Sequence, residues 1–197
     1  MSKKRSGKRD EVTRQGGELT HVLMVGGTTN QWMAMSEVSW AQRRDDLAKT
    51  AAHAGASWLT IRPYSGDVVG NDMGDLTAGP AVERRVFRSD DGCTVIVDPC
   101  ADGRRRLLDA VEQLRERAVS PVDEAQLAAL LMAPAPAEPD LTVILGPMTM
   151  LPLSLVWELS YTELVFIDTS WEELSGSQLE RAIGEYAHRH RRFGGIA

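Results

Sequence analysis

The sequence predicts an α/β fold in a single domain, with a central, mostly parallel sheet flanked by helices, and three observations predict it. Short runs such as "HVLMV", "CTVIVD" and "LTVILG" are apolar without alternation, the pattern of strands covered on both faces. Segments of helical spacing fall between them, so strand, helix and strand succeed one another from Val22 to Tyr64 as in a βαβ unit. The 197 residues, 43% of them hydrophobic, suffice for one sizeable core.

Residues 1–18 open with "MSKKRSGKR", which has charge and nothing apolar to bury, and are expected to form a disordered basic tail before a domain spanning 19–197. That tail also suits peripheral contact with an anionic membrane surface. Val22 to Val25 reads as the first strand. Trp40 to His53 reads as a helix, with Leu47 and Ala51 four apart and Gly55 as its stop. "SWLTIRPY" (Ser57 to Tyr64) is β-rich and closed by Pro63, and a Gly- and Asp-rich stretch from Ser65 to Gly92 holds an edge strand at Arg85 to Arg88. Cys93 to Asp98 is a strand and Gly103 to Ala118 a helix carrying Leu107, Val111 and Leu114 on one stripe.

A further helix is predicted from Ser120-Pro121 to about Met132, serine capping and proline at the first helical position. "APAPAEP" is a connector that neither helix nor inner strand tolerates. "LTVILG" then reads as a strand, "LSLVWELS" as a short helix and "ELVFID" as a strand. The last helix starts near Ser177, with Ser175 and Gln178 in capping-box spacing, Leu179, Ile183 and Tyr186 as its buried stripe, and arginines in its final turn.

Composition excludes several function classes. A net charge of −6 and a sequence pI near 5.3 leave no concentrated basic face for nucleic acid. No apolar run approaches the roughly 18 to 20 residues that cross a bilayer, and no ordered signal-peptide regions appear, so a cytoplasmic location is expected. Cys93 and Cys100 are too few for a disulfide framework and read as packed thiols. "VGGTTN" lacks the lysine of a P-loop, His188 and His190 are two apart on a helix and cannot face one metal, and no serine sits in a G-x-S-x-G elbow. Trp32, Trp40 and Trp58 belong to the core or to a subunit interface.

The segment "SYTELVFIDTSWEELSGSQLERAIGEYAHRHRRFGGIA" (Ser160 to Ala197) resembles the end of the cis-prenyltransferases, the family of undecaprenyl diphosphate synthase. Tyr161, Glu163, Leu164, Asp168, Trp171, Arg191, Arg192, Phe193, Gly194 and Gly195 fall where that family has its Tyr-x-Glu-Leu strand, aromatic-Asp turn, Trp and terminal Arg-Arg-Phe-Gly-Gly. "HVLMVGGTTNQW" is similar to the family's opening His-Val-Ala-Ile-Ile-Met-Asp-Gly-Asn-Gly-Arg-Trp and keeps His21, Val22 and Trp32. The resemblance places the catalytic, magnesium-holding aspartate on Gly27 and a phosphate-binding arginine on Gln31. The motif Arg-Thr-x-Gly-Glu-x-Arg-x-Ser-Asn-Phe aligns with "ILGPMTMLPLS", so its two diphosphate-gripping arginines fall on Ile144 and Met150 and its serine on Pro152. Isoleucine and methionine offer phosphate none of the paired donors of a guanidinium. Strand Cys93 to Asp98 and "GRRRL" keep Gly103 and Arg104 of Asn-Tyr-Gly-Gly-Arg, while the stretch after Tyr64 is too short for the helices that wall the family's prenyl tunnel.

Members of this family exchange C-terminal ends across a dimer, and in heteromeric members a catalytically empty, Nogo-B-receptor-type subunit contributes chiefly an Arg-x-Gly. The resemblance therefore implies a non-catalytic subunit with no catalytic residues of its own. Arg192, Gly194 and Gly195 would bind substrate in trans, and Glu163 would support the interface or metal site. Magnesium would be held mainly by the partner, a catalytic cis-prenyltransferase subunit in a heterodimer or heterotetramer, with prenyl diphosphates bound through it. Two rivals are a redirected, terpene-synthase-like enzyme using Asp67, Asp72, Asp75 and Asp98, and a homodimeric binding or regulatory protein.

Overall fold

The computed structural model describes residues 18–64, 83–146, 148–149 and 151–193, the last four by their backbone. The basic tail, Asp67, Asp72, Asp75, Met150, Gly194, Gly195 and the Arg192 side chain lie outside the described residues.

Six strands form one sheet in the order β3-β4-β2-β1-β5-β6. They are β1 (His21–Val25), β2 (Trp58–Arg62), β3 (Arg85–Arg88), β4 (Thr94–Val97), β5 (Leu141–Leu145) and β6 (Glu163–Ile167). All neighbours run parallel except the edge pair β3 and β4. β1 lies between β2 and β5, and helices cover both faces, so its five residues are all buried and the sequence shows no alternation.

Alternate residues nevertheless serve different cores. Val22, Met24, Leu59, Ile61 and Val143 face α2 (Glu37–His53) and α5 (Gly176–Phe193), which contribute Leu47, Ala48 and Ala51, and Leu179, Ala182 and Tyr186. Leu23, Val25 and Ile144 face the opposite way, toward Leu155. On that second side α3 (Gly103–Glu116) and α4 (Glu124–Met132) pack together through Ala110, Leu131 and Met132, with Trp157 against them.

The structure departs from the expected elements at four places. The helix expected from Ser120 begins at Glu124, because Asp123 accepts the Gln126 N–H (2.9 Å) while the Gln126 amide oxygen accepts the Asp123 N–H (3.0 Å), a reciprocal cap stronger than a lone serine. "LSLVWELS" is a run of turns and bends ending in one 3₁₀ turn at Glu158–Ser160, since Pro152 and the buried Leu155 hold it against α3, where the Gly103 N–H donates to Leu153 O (3.0 Å). A short helix not expected at all, α1 (Thr29–Ala34), follows β1. The long helix after it starts at Glu37, capped by Ser36, earlier than the spacing from Trp40 suggested.

Candidate functional site

The C-terminal ends of the parallel strands form the customary ligand crevice of an open α/β sheet. Here a cavity of about 320 Å³ opens there, lined by Gly27, Thr28, Gln31, Tyr64, Leu145, Thr149, Thr169, Ser170 and Trp171. None of these side chains carries a charge.

The loop after β1 is rebuilt around two residues. Gly27 has φ +72°, a conformation that side chains resist, and a Cβ there would lie 2.7 Å from the Trp171 ring. Gln31 closes a capping box with Thr28: its amide oxygen accepts the Thr28 N–H (2.7 Å), and the Thr28 hydroxyl accepts the Gln31 N–H (3.2 Å). Its amide nitrogen donates to Glu172 (2.8 Å). Backbone groups that an anion could use are thus already engaged by a side chain of the same loop.

Trp171 stacks on Trp32 (centroids 5.5 Å apart), which meets Trp40 edge-on (4.8 Å). The Arg43 guanidinium lies 4.8 Å over the Trp171 ring and donates to Glu172 O (2.9 Å), so this cation is turned away from the cleft lining. Trp32 donates its ring N–H to Gly26 O (2.9 Å). Of the three tryptophans assigned to core or interface, Trp32 is buried in the core, Trp40 packs partly buried against it and Trp58 is half-buried, while Trp171 is core and also floors the cleft.

The structure brings Gly27 and Gln31 together but separates the other positions. Ile144 is fully buried inside β5, between Val25 and Phe166, and its neighbour Leu145 lines the cleft instead. Glu163 starts β6, level with Val22 through Leu141, at the opposite pole of the sheet from Gly27. There Arg189 of α5 lies 3.8 Å from the Glu163 carboxylate and donates to Leu164 O (2.7 Å). Magnesium prefers hard oxygen ligands, carboxylates foremost. The cleft lining offers hydroxyls and one amide, and among the described residues no group of three His, Cys, Asp or Glu could hold a metal. These residues do not fit the ion.

The sequence reading missed the most polar part of the interior. On the α3/α4 face, Arg62 donates to Asp98 (3.1 Å) and pairs with Glu158, while Arg106 bonds Glu158 (3.1 Å) and Arg84 reaches Asp98 (3.2 Å). Asp98 therefore belongs to an ion cluster and is no open carboxylate for redirected chemistry. Burial pushes both acids up, yet the surrounding arginines outweigh it: Arg62, Arg84 and Arg106 hold Asp98 below its ordinary pKa, and Arg62 and Arg106 do the same for Glu158. Burial and the nearby Arg62 both depress Arg106. Part of the signal for this cluster was present, since Arg62 ends a strand that is apolar but for Thr60; Arg106 lies off the stripe expected on Leu107, Val111 and Leu114, because α3 turns Val111 outward and buries Arg106, Ala110 and Leu114.

His21 is buried on the same face, its ring nitrogens 2.9 Å from Ala137 O and 2.9 Å from Thr60 Oγ1. Burial lowers its pKa to about 4, so it is a neutral structural group. Cys93 and Cys100 are packed, and burial raises both thiols. His188 is exposed.

Comparison with known proteins agrees with the fold and places the chain. The family model described as "Putative undecaprenyl diphosphate synthase" matches residues 81–194. An isoprenyl transferase of Neisseria meningitidis is 35% identical over 103 residues, 52% of this chain and 42% of that protein. The ditrans,polycis-undecaprenyl-diphosphate synthase ((2E,6E)-farnesyl-diphosphate specific) of Micrococcus luteus is 25% identical over 178 residues, 83% of this chain and 72% of that one. A crystal structure of a probable undecaprenyl diphosphate synthase from Campylobacter jejuni superposes with a TM-score of 0.60 at 18% identity, covering 91% of this chain and all of the other. Lavandulyl diphosphate synthase from Lavandula x intermedia does so at 0.57 and 15%, covering 85% and 94%. The chain belongs to the cis-prenyltransferase (undecaprenyl diphosphate synthase) family. Its match spans less than half the length of the Neisseria relative.

Proposed function

We propose that this chain is a non-catalytic, Nogo-B-receptor-type subunit of a heteromeric cis-prenyltransferase. It stabilises an active subunit and supplies Arg192, Gly194 and Gly195 to that subunit's isopentenyl diphosphate and magnesium site. The observation that carries the reading is the floor of the cleft: Trp171 lies against Gly27 where the family has its aspartate, and Gln31 is spent on a cap where the family has an arginine. A diphosphate leaving group needs cations or a metal aimed at it, and among the described residues this lining offers neither a cation nor a carboxylate that could hold a metal.

The direction of α5 supports the second half. Its Arg189 anchors it at the start of β6, so the helix carries Arg191 and Arg192 toward the pole away from the chain's own cleft. Glu163 shares that pole. Met148, Leu151, Leu153 and Val156 are exposed on a segment that the buried Glu158 fixes from beneath, an apolar surface suited to a partner subunit. Magnesium and prenyl diphosphates are held mainly by the partner, which elongates an allylic diphosphate with isopentenyl diphosphate. The working location is the cytoplasm or its membrane surface; among the described residues no helix is long and apolar enough to cross a bilayer.

The test is reconstitution with the catalytic cis-prenyltransferase of the same cell. The chain alone should transfer no prenyl group, and mixing should raise the partner's kcat. Arg192→Ala should lower kcat of the mixed complex about a hundredfold while sedimentation shows assembly unchanged. Normal turnover by that variant complex would refute the in-trans role.

A further inference from the structure

The cleft has lost its charges without filling in. Its roughly 320 Å³ reaches the lower range of small-molecule pockets. Tyr64, Leu145 and Trp171 give it an apolar lining, and the hydroxyls of Thr149, Thr169 and Ser170 edge it. No described lining residue is ionised, and the carboxylates of Glu172 and Glu173 each stand one hydrogen bond behind the lining, on Gln31 and Ser170, where they repel an anion. The loop N–H of Thr28 is taken by Gln31.

Depth is limited as well. Beneath Tyr64 the cluster of Leu23, Val25, Ile144 and Leu155 closes the α3/α4 side, and beyond it lie Arg62, Asp98 and Glu158. The gap among Arg62, Arg84, Asp98 and Leu131 is too tight for a water molecule. Driving a hydrocarbon chain through that region would strip solvent-free ion pairs of their partners, a cost no apolar contact there could offset.

We infer that this cleft binds a short, uncharged amphiphile, an isoprenoid-sized alcohol, in place of a diphosphate. The hydroxyl of such a ligand meets the threonine and serine edge, and its apolar body lies on Trp171 and Tyr64. Neutral hydroxyls suit an alcohol, whereas a diphosphate would exchange its water shell for a lining in which no described residue is a cation, on a chain of net charge −6. The inference does not depend on the heteromer reading: a chain that binds the alcohol yet activates no transferase would end that reading and leave this one standing.

The experiment titrates the full isolated chain with geraniol, farnesol and geranyl diphosphate, the last with and without magnesium, and reads tryptophan fluorescence, to which Trp171 in the lining contributes. Geraniol should give a saturable change. Geranyl diphosphate should need at least about tenfold higher concentration, with no gain from magnesium, and farnesol should bind no more tightly than geraniol. Thr149→Phe, at an exposed position of the lining, should abolish geraniol binding while keeping the unfolding midpoint, and Thr149→Arg should confer diphosphate binding. A magnesium-dependent preference for the diphosphate, a tenfold preference for farnesol, no saturable response to geraniol, or unchanged geraniol binding by Thr149→Phe would each overturn the inference.

Discussion

The two faces of the sheet solve the same burial problem with opposite chemistry. Against α2 and α5 the interior is dry, built from Val22, Met24, Leu47, Leu59, Val143 and Leu179. Against α3 and α4 it holds His21, Thr60, Arg62, Asp98, Arg106, Thr142 and Glu158, all buried. Alternation along each strand creates this division, since residues 60 and 62 cannot share a face with 59 and 61. The difference teaches that the second face is locked by partners instead of by area. Each charge there is tolerable only while the others remain.

The sharpest way to break the comparison is to remove one charge. Glu158→Ala leaves Arg62 and Arg106 buried without it and should cost about 3–5 kcal/mol in urea unfolding. On the dry face Leu47→Ala should cost about 3 kcal/mol through its cavity, with no new dependence on pH. If both variants lost the same stability at every pH, the proposed contrast would fail.

Acid titration separates the faces without mutation. His21 has its pKa lowered from 6.5 to about 4 in the fold, so the unfolded chain binds the extra proton first and stability falls as pH drops from 6.5 toward 4, by about 3 kcal/mol in all. Asp98 and Glu158 are also depressed, so their contribution is present above the ordinary carboxylate range and is lost at still lower pH. His21→Gln should flatten the curve between pH 6.5 and 4 and leave the steeper acid limb in place.

A smaller effect is expected in the cleft. Gly27→Asp restores the residue type found in active relatives, yet it should lower stability by about 1–3 kcal/mol through backbone strain and collision with Trp171. It should produce no prenyl transfer, as radiolabel incorporation would report.

The sequence made the architecture readable because the parallel strands are continuous apolar runs and α2 and α5 keep their stripes, whereas on α3 the buried line runs through Arg106, Ala110 and Leu114 and leaves Val111 44% exposed. It also placed Gly27 and Gln31 in the cleft through the aligned opening loop. What it hid depends on contacts between distant positions. Arg62 and Glu158 stand 96 residues apart, so one looks like a strand end and the other like a helix surface until the fold joins them. α1 was missed although Thr28 and Gln31 have capping-box spacing, because the glycines before them suggested an open loop. Ile144 aligned with a binding residue but lies inside a strand, because alignment fixes register along the chain and says nothing of which way a side chain turns.

The contact between the Trp171 indole and Gly27 ties the cleft floor to the tryptophan stack. A side chain at position 27 would have to push aside a large ring that already rests on two other rings, and moving that ring unpicks the packing behind the loop, so the loop and the stack can change only in concert.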